Sequence, residues 1–94
     1  MIKSIADRDT ERLWHREPSR RLPPDIHRVA YRKLVMLNAA TTLNALLVPP
    51  ANRLERLRGD RAGQHSIRIN DQWRVCFRWE DGDAWDVEIV DYHQ

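Results

Sequence analysis

Ser66-Ile67-Arg68-Ile69-Asn70-Asp71-Gln72-Trp73-Arg74-Val75-Cys76-Phe77-Arg78-Trp79 changes character at every second residue on both sides of a polar break. Ile67 and Ile69 alternate with Ser66, Arg68 and Asn70, while Trp73, Val75, Phe77 and Trp79 alternate with Arg74, Cys76 and Arg78. A period of two marks strands with one buried face, so the stretch predicts an antiparallel hairpin. A loop of residues 70–72 pairs 69 with 73, 67 with 75 and 68 with 74, which gathers the apolar side chains on one face. A two-residue loop would set Ile69 against Arg74 and mix the faces of a half-buried sheet. The favoured register places Arg68 opposite Arg74. Like charges across a strand pair are unfavourable, so an anion is expected between or above them.

Downstream, Trp85, Val87 and Ile89 alternate with Asp86 and Glu88. A five-residue loop, 80–84, would pair Phe77 with Val87, Val75 with Ile89 and Arg78 with Asp86. Arg78 then has a local partner, whereas Arg74 faces Val90 and has no carboxylate on that side. The same parity puts Trp73, Trp79 and Trp85 in the core. A short strand within Arg53–Leu57 is also expected. Upstream the period changes. Asp7 to Trp14 predicts a short helix with Asp9 or Thr10 near its start, and with Trp14 turned inward or toward a partner. After Pro23-Pro24, the residues Ile26, Val29, Ala30, Leu34 and Leu37 recur at helical spacing, and the helix fades between Asn38 and Thr42. Helices followed by antiparallel strands predict an α+β layer with two N-terminal helices packed on the sheet.

The 94 residues fit one domain, 1–94, whose 41% hydrophobic and 32% charged content excludes a disordered chain. No apolar run approaches the roughly 18 residues that span a bilayer, and Met1-Ile2-Lys3-Ser4 does not open a secretory leader. A cytoplasmic protein without a membrane partner is expected. One cysteine, Cys76, excludes an internal disulfide framework and a Cys-rich zinc site. Of the 16 basic residues, 14 are Arg, whose planar fork grips phosphate at two points. Residues 1–78 carry a net +8 and residues 79–94 a net −6. This separation suggests a basic surface for nucleic acid beside an acidic segment.

An ordered set of short stretches then resembles HigB-type toxins of the RelE/ParE superfamily of toxin–antitoxin systems. They are Leu54-Glu55-Arg56-Leu57-Arg58-Gly59-Asp60-Arg61, Gly63, His65-Ser66-Ile67, Trp73-Arg74-Val75-Cys76-Phe77 and Asp91-Tyr92-His93. Met1-Ile2-Lys3-Ser4 and Met36-Leu37-Asn38-Ala39-Ala40-Thr41 extend the likeness over nearly the whole chain. The resemblance implies a RelE-like fold with a twisted sheet, and a ribosome-dependent endoribonuclease that cuts mRNA in the decoding site without a cofactor. It also implies a HigA-like helix-turn-helix antitoxin, with operator DNA reached only through that antitoxin.

RNA is cleaved without a metal when its 2′-hydroxyl attacks the adjacent phosphorus. The reaction needs a base, cations around the pentavalent phosphate and an acid for the departing 5′-oxygen. No H-x-x-x-H spacing offers a metal route, since the histidines fall at 15, 27, 65 and 93. Arg58, Arg61, Arg68 and Arg74 supply the cations. The resemblance assigns Arg58 and Arg74 to phosphate stabilisation, His93 to acid–base work or RNA contact, Tyr92 to base stacking or hydrogen bonding and Asp91 to orientation. Where family members often carry His-Pro, this chain has Glu55-Arg56. A carboxylate acts as a general base where its surroundings disfavour the ionised form, and neighbouring arginines favour it. Glu55 is therefore a base, an arginine partner or a surface residue. His65 contacts RNA, replaces lost acid–base capacity or, on parity with Ile67, lies half-buried. Cys76 is a packing residue, or a thiol made more acidic by Arg74 and Arg78. The departures at Glu55 and His65 leave a second reading open, a weakly active or nuclease-dead module that binds ribosome or antitoxin and acts in operon autoregulation. A gyrase poison of the ParE branch fits less well, because those proteins generally lack the Tyr-His ending.

Overall fold

The alternating residues form the expected sheet. The computed structural model describes residues 1–92. Its sheet is a four-stranded antiparallel meander of β1 (Glu55–Arg56), β2 (Gln64–Arg68), β3 (Trp73–Glu80) and β4 (Asp83–Asp91), in the order β1-β2-β3-β4. β2 and β3 pair Ile67 with Val75 and Arg68 with Arg74, the register of the three-residue loop. Ile67, Ile69, Trp73, Val75 and Phe77 thus enter the core on one face, and Ser66, Arg68, Arg74, Cys76 and Arg78 share the other.

Two helices cover the apolar face. α1 (Arg8–Trp14) fills the expected span and is capped by Asp7, whose extended backbone lets its side chain accept the Thr10 amide at 3.2 Å. α2 (His27–Ala39) follows a 3₁₀ turn over Pro24–Ile26 and buries Ala30, Leu34 and Leu37. These meet Leu13, Leu22, Phe77, Val87 and Ile89 in one apolar cluster. Each fully buried Leu, Ile or Phe there contributes about 1.5–3 kcal/mol. Thr10 ties α1 to the sheet, its Oγ1 accepting the Ile89 amide at 2.9 Å. Residues 1–6 run parallel to β4 through bridges at Ile2–Ala84 and Ile5–Val87, which shields that edge.

The second hairpin differs from the expected one. Its loop has two residues, Asp81-Gly82, both left-handed (φ 53° and 79°), as a tight hairpin turn requires. The remaining length is absorbed by a bulge between Cys76 and Arg78, where Asp86 is also left-handed (φ 52°). The bulge reverses the parity of β4, so Ala84 is buried before it, and Val87 and Ile89 after it. Trp85 therefore leaves the core and is only half-buried, its indole 3.4 Å from the Glu80 carbonyl. Arg78 keeps Asp86 as a partner at 2.8 Å although its backbone pairs with Trp85. That pair holds the Asp86 carboxyl below its ordinary value and raises the Arg78 guanidinium.

Candidate functional site

On the sheet face away from the helices, Arg53, Glu55, Arg68, Asn70, Asp71, Arg74 and Tyr92 line a polar depression of about 280 Å³. β3 supplies Arg74, β2 supplies Arg68, the hairpin loop supplies Asn70 and Asp71, and the edge strand β1 supplies Glu55.

Arg74 is 7% exposed, and each of its three guanidinium nitrogens makes a hydrogen bond. Nε donates to the buried Ser66 hydroxyl at 2.8 Å, Nη1 to Glu55 Oε1 at 3.5 Å, and Nη2 to the Arg53 carbonyl. The Tyr92 ring centroid lies 5.7 Å from Cζ, within reach of a cation–π contact. A charge held this way presents its remaining surface to the depression in a fixed orientation. Pre-orientation of this kind is what stabilises charge developing in a transition state.

The anion expected between Arg68 and Arg74 is supplied from within the protein. Arg68 Nη2 bonds Asp71, and Arg74 takes Glu55 from β1, an edge the hairpin register alone did not reveal. The two ion pairs differ in strength. The Asp71 side chain is 99% exposed, so water competes for it and the pair holds Arg68 weakly. Arg68 is thereby the more loosely held of the two guanidiniums. Arg53 joins as a third guanidinium, against the two carboxylates.

Of the other expected site residues, Arg58, Arg61 and His65 lie away from the depression. Arg58 is exposed at the start of the 3₁₀ turn Gly59–Arg61, outside the depression. Arg61 bonds Glu88 at 3.2 Å and Gln64 at 3.1 Å. His65 is half-buried with its ring 6.0 Å from that of Phe77, and burial pushes it below the ordinary histidine value, with Arg56 adding to the effect. Asp91 stands beside the depression, accepting from Gln72 Nε2 at 3.0 Å, and the Gln72 carbonyl takes the Tyr92 amide at 2.6 Å. His93 lies outside the described residues. Cys76 is fully buried, and burial raises its thiol, with Glu88 adding to the rise against the opposing pull of Arg61 and Arg74. The acidic thiol that its arginine neighbours suggested is thus not formed.

Sequence reasoning missed Arg53, Asn70 and Asp71 as site residues. The loop register held the signal for the last two, since it sets 70–72 at the end of the hairpin that carries Arg68 and Arg74. A larger, mostly apolar groove of about 450 Å³ lies between the helices, lined by Leu13, Arg16, Pro18, His27 and Tyr31 among others. Among the described residues, none of the expected catalytic ones lines it.

Known proteins with this pattern agree on its kind. The family described as the RelE-like toxin of type II toxin–antitoxin system HigB matches residues 3–93. Toxin HigB-1 of Vibrio cholerae is 39% identical over 85 residues, covering 89% of this chain and 90% of the relative. Endoribonuclease HigB of Proteus vulgaris is 32% identical over 94 residues, 99% of this chain and 100% of the relative. Among solved structures, the YoeB–YefM complex from Staphylococcus aureus contains a chain of the same fold, with a TM-score of 0.58 and 15% identity across 100% of this chain and 99% of that one. With its α+β meander, its arginine-lined depression and this match over nearly its full length, the chain belongs to the HigB family of RelE-like toxins of type II toxin–antitoxin systems.

Proposed function

We propose that this toxin is an endoribonuclease that cleaves mRNA on the ribosome by attack of the RNA 2′-hydroxyl on the neighbouring phosphorus. The observation that carries the proposal is the convergence of Arg53, Arg68 and Arg74 with Glu55 and Tyr92 on one depression. A phosphodiester entering it displaces Asp71 from Arg68, so that two arginines grip the nonbridging oxygens. Arg74, fixed by Ser66 and Arg53, meets the charge that grows in the pentavalent state. Tyr92 offers its ring to a neighbouring base. Glu55 is the base that takes the 2′-hydroxyl proton, and Asp91 and His93 complete the proton path to the departing 5′-oxygen. The 2′-oxygen–phosphorus bond forms as the phosphorus–5′-oxygen bond breaks, leaving a 2′,3′-cyclic phosphate and a 5′-hydroxyl. Arg58 and Arg61, outside the depression, are assigned to flanking phosphates of mRNA or ribosomal RNA, and the half-buried His65 to packing against Phe77.

The partner of this reading is a HigA-like helix-turn-helix antitoxin, which would also carry the complex to operator DNA, and the place of action is the cytoplasm. Primer extension on mRNA in a purified translation system tests it. Wild-type protein should cut only with ribosomes present, and Arg74→Ala should abolish the signal. Glu55→Gln separates a base from a bystander, since a loss of tenfold or less, about 1.4 kcal/mol of barrier, argues against the base role. Ribosome binding without any cut by wild-type protein would favour the nuclease-dead module instead.

A further inference from the structure

Lys33 stands on α2 and is only 5% exposed, with no carboxylate within ion-pair distance among the described residues. A buried ammonium without a counter-charge is costly, and an apolar side chain would fill the same place on the helix without that penalty. Burial, with Arg32 and Arg68 nearby, pushes Lys33 below the ordinary lysine value. Its Nζ donates to Oδ1 of Asn52, a residue with no exposed surface. The Asn52 amide donates in turn to the carbonyls of Leu46 at 3.1 Å and Val48 at 3.4 Å, and lies 3.1 Å from Met36 Sδ. Both ends of the Asn52 side chain are therefore bound.

The next residue is Arg53, in the left-handed conformation (φ 44°, ψ 57°). A residue with a side chain pays for that conformation, and surrounding contacts must hold it there. The Arg53 carbonyl is the group that accepts Arg74 Nη2, and two residues later Glu55 accepts Nη1. We propose that Lys33 is a positioning residue for the cleavage site, holding Arg53 in its left-handed turn through Asn52, so that the Arg53 carbonyl fixes the guanidinium of Arg74. The activity consequence rests on the endoribonuclease reading, but the geometry does not.

Lys33→Met keeps the stem and removes the donor. In protein labelled with ¹⁵N-arginine, the Nε–H signals of Arg74 and Arg78 are followed, each identified by its loss in the corresponding Arg→Lys variant. Arg78 is the internal control, since its Nε bonds Asp86 at 2.8 Å and has no contact with the Lys33–Asn52 pair. The expected result is a shifted Arg74 signal with hydrogen exchange at least tenfold faster, an unchanged Arg78 signal and about tenfold slower RNA cleavage. Asn52→Asp relieves the buried charge by giving Lys33 a carboxylate, yet drops the donors to Leu46 and Val48. It should also move Arg74 and spare Arg78, and it serves where Lys33→Met does not fold. An unchanged Arg74 signal in either folded variant overturns the proposal, as does an equal response of both arginines, which would mean general loosening. A selective Arg74 change with full cleavage keeps the positioning role and removes Arg74 from the catalytic reading.

Discussion

Replacing Ser66 with alanine removes one oxygen from a fully buried position, and that oxygen is the acceptor of Arg74 Nε at 2.8 Å. The guanidinium beside it is 7% exposed, so water cannot easily take over the bond. A hydrogen bond to a charged group contributes about 1.5–3 kcal/mol. A domain of 60–100 residues loses about 4–8 °C of melting temperature per kcal/mol, so a loss of about 2 kcal/mol lowers Tm by about 8–16 °C. The Arg74 fork also loses one of its three anchors, and a tenfold slower cleavage corresponds to about 1.4 kcal/mol of barrier. Thermal melts and single-turnover cleavage measure the two effects. Repeating the substitution in an Arg74→Lys background should show a smaller loss, with a coupling of about 1 kcal/mol or more. A Tm drop below about 2 °C with wild-type cleavage would refute the reasoning.

Thr10→Val keeps the shape of the side chain but strips the acceptor from the buried Ile89 amide, and urea unfolding should show a loss of about 1–3 kcal/mol. Because the folded His65 lies below its ordinary value of about 6.5, the unfolded chain binds the proton more readily, and stability should decline as pH falls from about 6.5 through the lower folded value. His65→Phe should flatten that decline in urea melts taken from pH 7.5 to 5. Asp86 is depressed chiefly by its hydrogen bond to Arg78, so its contribution is present above about pH 4 and is lost as pH falls through the lower folded value. The stability gap between wild type and Asp86→Asn should therefore be visible at pH 6 and close under acid conditions.

The β2–β3 hairpin was readable because its apolar parity and loop length agree on a single register. β4 was misread because Trp85, Val87 and Ile89 mimic one continuous parity. The signal against that reading was Asp81-Gly82, a strong two-residue turn, which leaves an extra residue for the bulge at Asp86. In the site, Arg68 and Arg74 followed from register, and Glu55 and Tyr92 from the family likeness. Arg53 depended on a left-handed turn after a short 3₁₀ segment, which no periodicity announces. Lys33 was equally hidden, since a lysine within a helical pattern reads as solvent-facing, and nothing in that pattern announces its bond to the buried Asn52.

End-group analysis of mRNA fragments from a translating system tests the central claim, that the guanidinium of Arg74 stabilises the charge on the pentavalent phosphate as the RNA's own 2′-oxygen attacks the phosphorus. The expected products of the wild-type toxin carry a 2′,3′-cyclic phosphate and a 5′-hydroxyl, and Arg74→Ala, folded to the same extent, yields neither. Fragments bearing a 5′-phosphate, or undiminished cutting by Arg74→Ala, would contradict it.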